Sequence, residues 1–455
     1  MNKRPLLVFS GPVTTVSGYG AHARDIVTAL FNLDKYDIKI HSINWGNTPM
    51  NALNPNIPEH ARILDNIVTG LNEQPDIWMQ CTVPNEFRTL GKYNIGITAG
   101  IETDSCACEW VEHCNKMDLI IVPSEHSKNS LLNTVCEKVA TNPNMNIPNA
   151  NVKLNKPILV LHEGIDENIY KNYVPDEAPG KAKMRDTLAK IEEKFCFLFV
   201  GHWMHGEFGE DRKNVSGLVH TFMDTFKDID TPPALILKTS SGTFSVGDRV
   251  KILDKINSIK KMFPDNSKLP NVYVLHGNLT DIEMNCLYNH TKVRAFVSFT
   301  KGEGYGRPIA EFMATGKPVL VTNWSGHLDF AKPGGAILLP GELRNVHPST
   351  VWKGVIEPES KWFAVDYAVA KKEMMKMFKK YDKYRIDAKP SAQFMKNNFS
   401  FRKMQKDLDS YLEQYLPKFA KNIPFVMPSL SNTNFPALKK HANITNNLTA
   451  KINEQ

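Results

Sequence analysis

The sequence predicts an α/β fold of two doubly wound domains in tandem, on three observations. The chain has 455 residues, long for one core and suited to two packed domains. Short apolar runs alternate with helical patterns along most of it, as βαβ units on parallel sheets require. A break marked by Pro175, Pro179 and Gly180 separates two such series.

The first series opens with a strand pattern from Leu6 to Ser10, a helical pattern from Ala21 to Phe31 and a second strand pattern from Asp37 to Ile43. Ile95 to Thr98, Leu119 to Pro123 and Ile158 to His162 repeat the strand pattern, so a first domain is expected over residues 1–170. The run from Asn142 to Pro157 is rich in Asn, Pro and Lys and reads as a long surface loop. Residues 171–194 read as a linker with a charged helical stretch. The second domain, 195–390, has strand patterns at Phe195 to Val200, Ala234 to Lys238, Val272 to His276, Ala295 to Ser298 and Val319 to Thr322. Open parallel sheets bind ligands beyond the carboxyl ends of their strands, so two of them face to face create a cleft. In residues 391–416, Phe401, Met404, Leu408, Tyr411 and Tyr415 recur at helical spacing; such an apolar stripe needs a partner surface. Residues 417–455 are rich in Asn, Lys and Pro and read as a loosely ordered or interacting tail.

Lys and Arg number 55 against 48 Asp and Glu, a surplus that permits polyanion binding without establishing it. The apolar run after Lys3 and Arg4 ends at Ser10 and Gly11, too short for a secretory signal, and no stretch nears the roughly 18 apolar residues of a membrane span. A cytoplasmic location is expected. Seven cysteines, an odd number scattered through the chain, suit free thiols in a reducing compartment. Cys106, Cys108, His113 and Cys114 have ligand types for zinc but not the paired spacing of a structural site, so no metal is expected there.

The densest chemistry lies between Phe299 and Thr322, a strand, a Gly-rich turn, a helix and a return to strand. Gly302, Gly304 and Gly306 allow close backbone approach, while Pro308 suits a first helical position and Gly316 a helix exit. A helix start of this kind offers unpaired amides to a phosphate. Glu303 on the turn and Glu311 in the helix can face one bound molecule, and carboxylates accept hydrogen bonds from paired hydroxyls such as those of a hexose or a ribose. In the first domain, Ser10 to His22 closes a strand and opens a helix through a polar, Gly-containing turn. It lacks the full Gly-x-Gly-x-x-Gly fingerprint, which counts against a dinucleotide enzyme.

The segment Glu303-Gly-Tyr-Gly-Arg-Pro with Glu311 resembles the retaining glycosyltransferases of the family 4 type (glycosyl transferases group 1), whose signature is Glu, seven residues, Glu within a Glu-Gly-aromatic-Gly-x-Pro turn. The likeness runs in order along the chain through Gly18-Tyr-Gly20, Gly100-Ile-Glu-Thr-Asp, Trp110-Val-Glu-His-Cys-Asn, Ile121-Val-Pro-Ser-Glu-His-Ser, His162-Glu-Gly-Ile-Asp166, Val200-Gly-His-Trp and Asp211-Arg-Lys-Asn. It implies a GT-B fold: two Rossmann-like domains facing across a cleft, the first for the acceptor and the second for a nucleotide-sugar donor, with a C-terminal helix returning to the N-terminal domain. By the same likeness Glu303 holds the donor sugar and Glu311 the ribose. Gly304, Tyr305 and Gly306 meet the diphosphate or sugar, and Gly18, Tyr19 and Gly20 lie near the diphosphate and acceptor. Arg212 and Lys213 neutralise the diphosphate as leaving group, and Glu102, after a strand, faces the cleft. Two positions depart from the pattern. His202 stands where the family often has Arg, which makes Lys238 the candidate replacement for a phosphate contact. Arg307 stands where an apolar residue is usual, and is read as reaching the acceptor or facing solvent.

The resemblance implies a hexosyl- or pentosyltransferase acting with retention. No Asp-x-Asp motif stands at a strand end and the basic residues can do the work of a divalent cation, so neither metal nor cofactor is expected beyond the nucleotide sugar itself. A nucleotide-sugar epimerase of the same fold and a non-catalytic nucleotide-sugar binding module are the rival readings. The acceptor is left open between a surface glycan, such as a cell-surface polysaccharide or lipopolysaccharide, a lipid-linked sugar, a small molecule and a hydroxymethylated pyrimidine in DNA; the chain also resembles bacteriophage transferases of that last kind, which act in the host cytoplasm. Arg307 and the group Arg249, Lys251, Lys255, Lys260 and Lys261 are the candidate contacts to DNA.

Overall fold

The computed structural model describes residues 4–137 and 151–419. Its first lobe is built on a parallel sheet of β1 (Leu6–Gly11), β2 (Asp37–Ser42), β3 (Ile77–Cys81), β4 (Tyr93–Ile97), β5 (Leu119–Val122) and β6 (Ile158–Val160), in the order β2-β1-β3-β4-β5-β6. The second lobe repeats the plan with β7 (Cys196–His202), β8 (Ala234–Ser240), β9 (Val272–Leu275), β10 (Val293–Ser298), β11 (Val319–Thr322) and β12 (Ile337–Leu339), ordered β9-β8-β7-β10-β11-β12. Strands β1, β3 and β5 are buried along their whole length, because helices cover both faces of a parallel sheet. Strand order reverses beside β1 in the first sheet and beside β7 in the second, and the crevice at the carboxyl ends there gathers the loops that matter. β3 and β12 lie where the sequence pattern alone shows no strand.

Helix α1 (Gly18–Leu33) starts directly after the β1 turn, with the Ser17 hydroxyl accepting from Gly20 N at 2.9 Å, a standard N-cap. The seven-residue helix α2 (Arg307–Met313) follows β10 and the Gly-rich turn, with Pro308 in its first turn. Helix α3 (Phe401–Tyr415) closes the described chain; it buries Met404, Leu408 and Leu412, each such side chain contributing about 1.5–3 kcal/mol. Lys35 of the first lobe reaches Asp409 and Glu413 at 2.6 and 2.7 Å, and the Tyr411 hydroxyl donates to Val160 O at 2.8 Å. The last helix therefore returns to the N-terminal lobe.

Three expectations need adjustment. Helix Lys181–Ala189, in the segment read as a linker, contributes Met184 and Leu188 to the core of the second lobe. Within the run read as a loop, residues 142–150 lie outside the described residues, but Asn151–Val152 pairs antiparallel with Cys136–Glu137. That short ladder lies beside the helix Cys108–Cys114, anchored where Cys106 N donates to Thr134 Oγ1 at 3.0 Å. It brings Cys136 to Cys108, Cα to Cα 5.6 Å, and the two form a disulfide. The expectation of free thiols throughout is thus corrected for this pair. The other five cysteines are free and buried, and Cys108 is removed from the cluster weighed for zinc. Residues 420–455 of the expected tail lie outside the described residues, and among those described no helix is long and apolar enough to cross a membrane.

Candidate functional site

The carboxyl ends of β7 and β10 carry the two segments singled out by sequence. After β7 the chain reaches Asp211, whose carboxylate accepts from Val215 N at 3.0 Å and from Ser216 Oγ at 2.9 Å. This caps the helix Val215–Phe226 and turns the preceding Arg212 and Lys213 toward the Gly-rich turn. Lys213 Nζ donates to Glu303 Oε1, Arg212 Nη1 lies 3.8 Å from Glu303 Oε2, and Arg212 also donates to Gly302 O at 3.3 Å. Both lysine and glutamate are buried. Burial pushes the Glu303 carboxyl up, but Lys213 and Arg212 outweigh it and the net shift is downward. Burial also pulls the Lys213 ammonium down; with two cations against it, an ionised Glu303 is the state the geometry sustains. The turn is locked from behind: Glu303 N donates to Ser325 Oγ and Gly326 N to Glu303 O, each at 2.9 Å.

His202 and Lys238 lie on neighbouring strand ends. His202 Nδ1 is 3.0 Å from Ser240 Oγ, and Lys238 donates to Gly277 O at 2.7 Å. Burial, then Lys213 and Arg212, lower the imidazole to about 4, so His202 is neutral at pH 7. Burial lowers Lys238 to about 8, and among the described residues no carboxylate pairs with it. Arg212 and Lys213, by contrast, each face Glu303.

The first lobe closes directly on this surface. Glu102 Oε1 is 3.2 Å from Arg212 Nη1, and burial raises its carboxyl despite that arginine. Ser124 Oγ donates to Gly304 O at 2.6 Å. The glycines of the turn are spent on this contact: a Cβ at Gly302 would stand 1.8 Å from Glu102 O, and one at Gly304 1.7 Å from Ala99 O. Gly306 serves otherwise, adopting φ 98° at the cap of α2. Tyr305 is buried beside Phe330, ring centroids 5.1 Å apart. Tyr19 stacks on Trp45 with centroids 4.0 Å apart, and its hydroxyl accepts from Ala99 N at 2.9 Å. Gly20 packs against Thr15 O, whereas space is open around Gly18.

Arg307 does not face solvent. It is half-buried between the lobes, where its guanidinium meets Asp25 of α1 at 2.5 Å, Glu163 at 3.7 Å and Glu311 at 3.0 Å. Glu311 also accepts from the Tyr288 hydroxyl at 3.0 Å. Three carboxylates around one guanidinium leave a buried excess of negative charge. Burial accordingly raises Glu163 and Glu311 to about 7 each, against the pull of Arg307. Sequence reasoning named Arg307 and Glu311 but missed Asp25 and Glu163; the quoted turn His162 to Asp166 was the one signal at hand. In the basic helix Val246–Lys260, Arg249, Lys251 and Lys260 are exposed, as is Lys261 beyond it. Lys255 is not, since its ammonium donates to Met204 O at 3.1 Å and lies over the Trp203 ring.

No protein-family model matches the chain, and no curated protein matches it. Solved structures do. The Anabaena protein HepE in complex with UDP and glucose superposes with a TM-score of 0.55 at 13% identity, covering 90% of this chain and 100% of its own. Sucrose-phosphate synthase from Thermosynechococcus elongatus gives 0.58 at 12%, covering 90% and 99%. A trehalose-6-phosphate synthase described in connection with glycosyl transfer with retention gives 0.55 at 13%, covering 90% and 100%. Identities this low speak for the fold alone, and with the two parallel sheets described above they show that the chain has the GT-B architecture: two Rossmann-like domains facing across a cleft.

Proposed function

We propose that this chain is a glycosyltransferase that moves a sugar from a nucleotide diphosphate donor to an acceptor hydroxyl. The observation that carries the reading is the set of buried Glu303 and Lys213 with half-buried Arg212 at the Gly-rich turn, at the strand-order reversal of the second lobe. An acceptor-only carboxylate suits sugar hydroxyls, and two fixed cations beside it suit a departing diphosphate. HepE binds UDP and glucose on the same fold, which supports a nucleotide-sugar ligand in this cleft. Arg212 is held by Glu102 from the opposite lobe, so a diphosphate reaching it replaces or shares that partner. The three basic groups Arg212, Lys213 and Lys238 supply the charge stabilisation that a metal would otherwise give, and transfer proceeds without metal or cofactor. Retention is what the resemblance to the family 4 type implies, with a leaving-group oxygen assisting deprotonation of the acceptor.

The acceptor binds the first lobe in the cytoplasm. Glycans, lipid-linked sugars, small molecules and hydroxymethylated DNA are the candidate classes; the exposed Arg249, Lys251, Lys260 and Lys261 of the second lobe are the contacts a DNA acceptor would add. Incubation with a panel of nucleotide sugars and acceptors, read by mass spectrometry, tests the reading. Mass transfer to one acceptor class is expected. Epimerised donor without transfer would replace it by an isomerase, and binding without turnover of any donor would leave a binding module. For DNA, transfer should require the base hydroxyl and binding should weaken steeply with salt, as counterion release demands.

A further inference from the structure

His327 precedes the short helix Leu328–Ala331 and is fully buried. Its Nε2 lies 2.7 Å from Thr322 O. A carbonyl oxygen only accepts, so Nε2 carries the proton and Nδ1 of the neutral ring bears a lone pair. Burial lowers the imidazole's pKa and keeps the ring neutral. Yet Nδ1 has neither a hydrogen-bond partner nor contact with solvent. Buried polar atoms in this state are uncommon and call for a physical reason.

The surroundings supply one. A Cβ at Gly306 would stand 3.0 Å from His327 Cβ, so His327 is rooted against the Gly-rich turn. Ser325 and Gly326, the two residues before it, are those that hold the Glu303 backbone, each at 2.9 Å. Ser325 adopts φ 84°, a left-handed conformation that a residue with a side chain keeps only where its surroundings over-determine it. A strained serine and an unmet acceptor thus share one turn, which packs on the turn that carries Glu303. Glu303 and Nδ1 have the same hydrogen-bonding character: both accept and neither donates. Such a pair selects a ligand edge that carries donors, and adjacent hydroxyls on a sugar ring are that edge.

We propose that His327 Nδ1 accepts a hydrogen bond from a hydroxyl of the donor's sugar, which makes His327 a specificity-determining residue beside Glu303. The proposal rests on the transferase reading above. It also accounts for the tautomer, since the Thr322 carbonyl orients the ring so that the bare nitrogen is the one left for ligand.

Calorimetry with UDP-glucose, ADP-glucose and GDP-mannose, each beside its free nucleotide diphosphate, tests it. For the donor that binds best, His327→Leu should weaken the nucleotide sugar by about tenfold or more and leave the nucleotide within about twofold. His327→Asn, whose amide oxygen falls near the Nδ1 position, should recover part of the loss. A donor lacking the partner hydroxyl should bind wild type and His327→Leu alike. Equal losses for nucleotide and nucleotide sugar would make His327 a packing residue and overturn the proposal, as would no loss in either. If His327→Leu fails to fold, the Nδ1 resonance of 15N-histidine-labelled wild type decides: it should move with nucleotide sugar and stay with nucleotide, and an unmoved resonance overturns the assignment. Absence of binding to every nucleotide and nucleotide sugar by wild type would instead overturn the transferase reading itself.

Discussion

Glu163→Gln should gain stability over the wild-type protein as pH rises from 5.5 to 8. Burial lifts the Glu163 carboxyl to about 7 from an ordinary 4.5, more than Arg307 at 3.7 Å draws it down. Between those two values the folded protein binds more protons than the unfolded chain, so stability falls as pH rises through the interval and stays reduced above it. The whole gap is worth about 3 kcal/mol, of which about 2 kcal/mol develops above pH 5.5. Glutamine keeps the shape of the protonated acid and cannot ionise, so the variant escapes this loss. Glu311, also raised to about 7, shares Arg307, and ionises more readily once its neighbour is neutral. Any easing of the Glu311 ionisation adds to the same gain, so a net gain of about 2 kcal/mol at pH 8 relative to pH 5.5 is expected. Urea unfolding of both proteins at the two pH values, followed by tryptophan fluorescence, measures it. A variant that loses more stability at pH 8 than at pH 5.5 would refute the reasoning, because the Arg307–Glu163 attraction would then exceed the cost of burying the charge.

Lys213→Met leaves Glu303 buried with only Arg212 at 3.8 Å, which should cost about 3–5 kcal/mol in urea unfolding; adding Glu303→Gln to the same chain should recover most of it, and no recovery would show that the lysine acts through packing. Glu311→Ala should weaken nucleotide diphosphate binding by about 1.5–3 kcal/mol in calorimetry, whereas Glu303→Ala should spare the nucleotide and damage transfer; identical behaviour of the two would dissolve that division of roles. Reduction of Cys108–Cys136, 28 residues apart, should destabilise the protein by about 3.6 kcal/mol by the loop-closure relation, and an unchanged urea midpoint under reducing conditions would mean the bridge does not form in solution.

The strands that a linear reading finds are those whose local pattern matches their environment. β1, with Leu6, Leu7, Val8 and Phe9 in succession, is a fully buried parallel strand and looks like one. β3 is equally buried but reads Ile-Trp-Met-Gln-Cys, with one β-branched residue and a polar Gln80 inside it. The structure tolerates Gln80 because the following loop satisfies it: Oε1 accepts from Arg88 N at 2.9 Å and Nε2 donates to Glu86 O at 2.9 Å. Those partners are set by how the loop folds back, which no window of sequence centred on the strand contains. The disulfide was hidden for a related reason, since spacing along the chain does not fix which cysteines meet.

At the site, the segments with local chemistry were legible and the long-range charge cluster was not. Arg212, Lys213 and Glu303 stand out because glycines, a helix start and a strand end surround them. Asp25 is 282 residues from Arg307, and neither residue's neighbours announce the other; an isolated arginine is reasonably assigned to the surface until a buried carboxylate is found for it. The glycines carry a subtler lesson. A Gly-rich turn at a helix start states that something approaches the backbone closely, never what. Here the occupant beside Gly302 and Gly304 is the other lobe, through the carbonyls of Glu102 and Ala99. Two bodies cannot occupy one contact, so a ligand that is to touch those amides from the same side requires the lobes to part there first. The ion pairs that join them, Arg212 with Glu102 and Arg307 with Asp25 and Glu163, then oppose that parting. Occupancy of this part of the cleft is therefore coupled to the same buried charges whose pH dependence the Glu163 variant reads out.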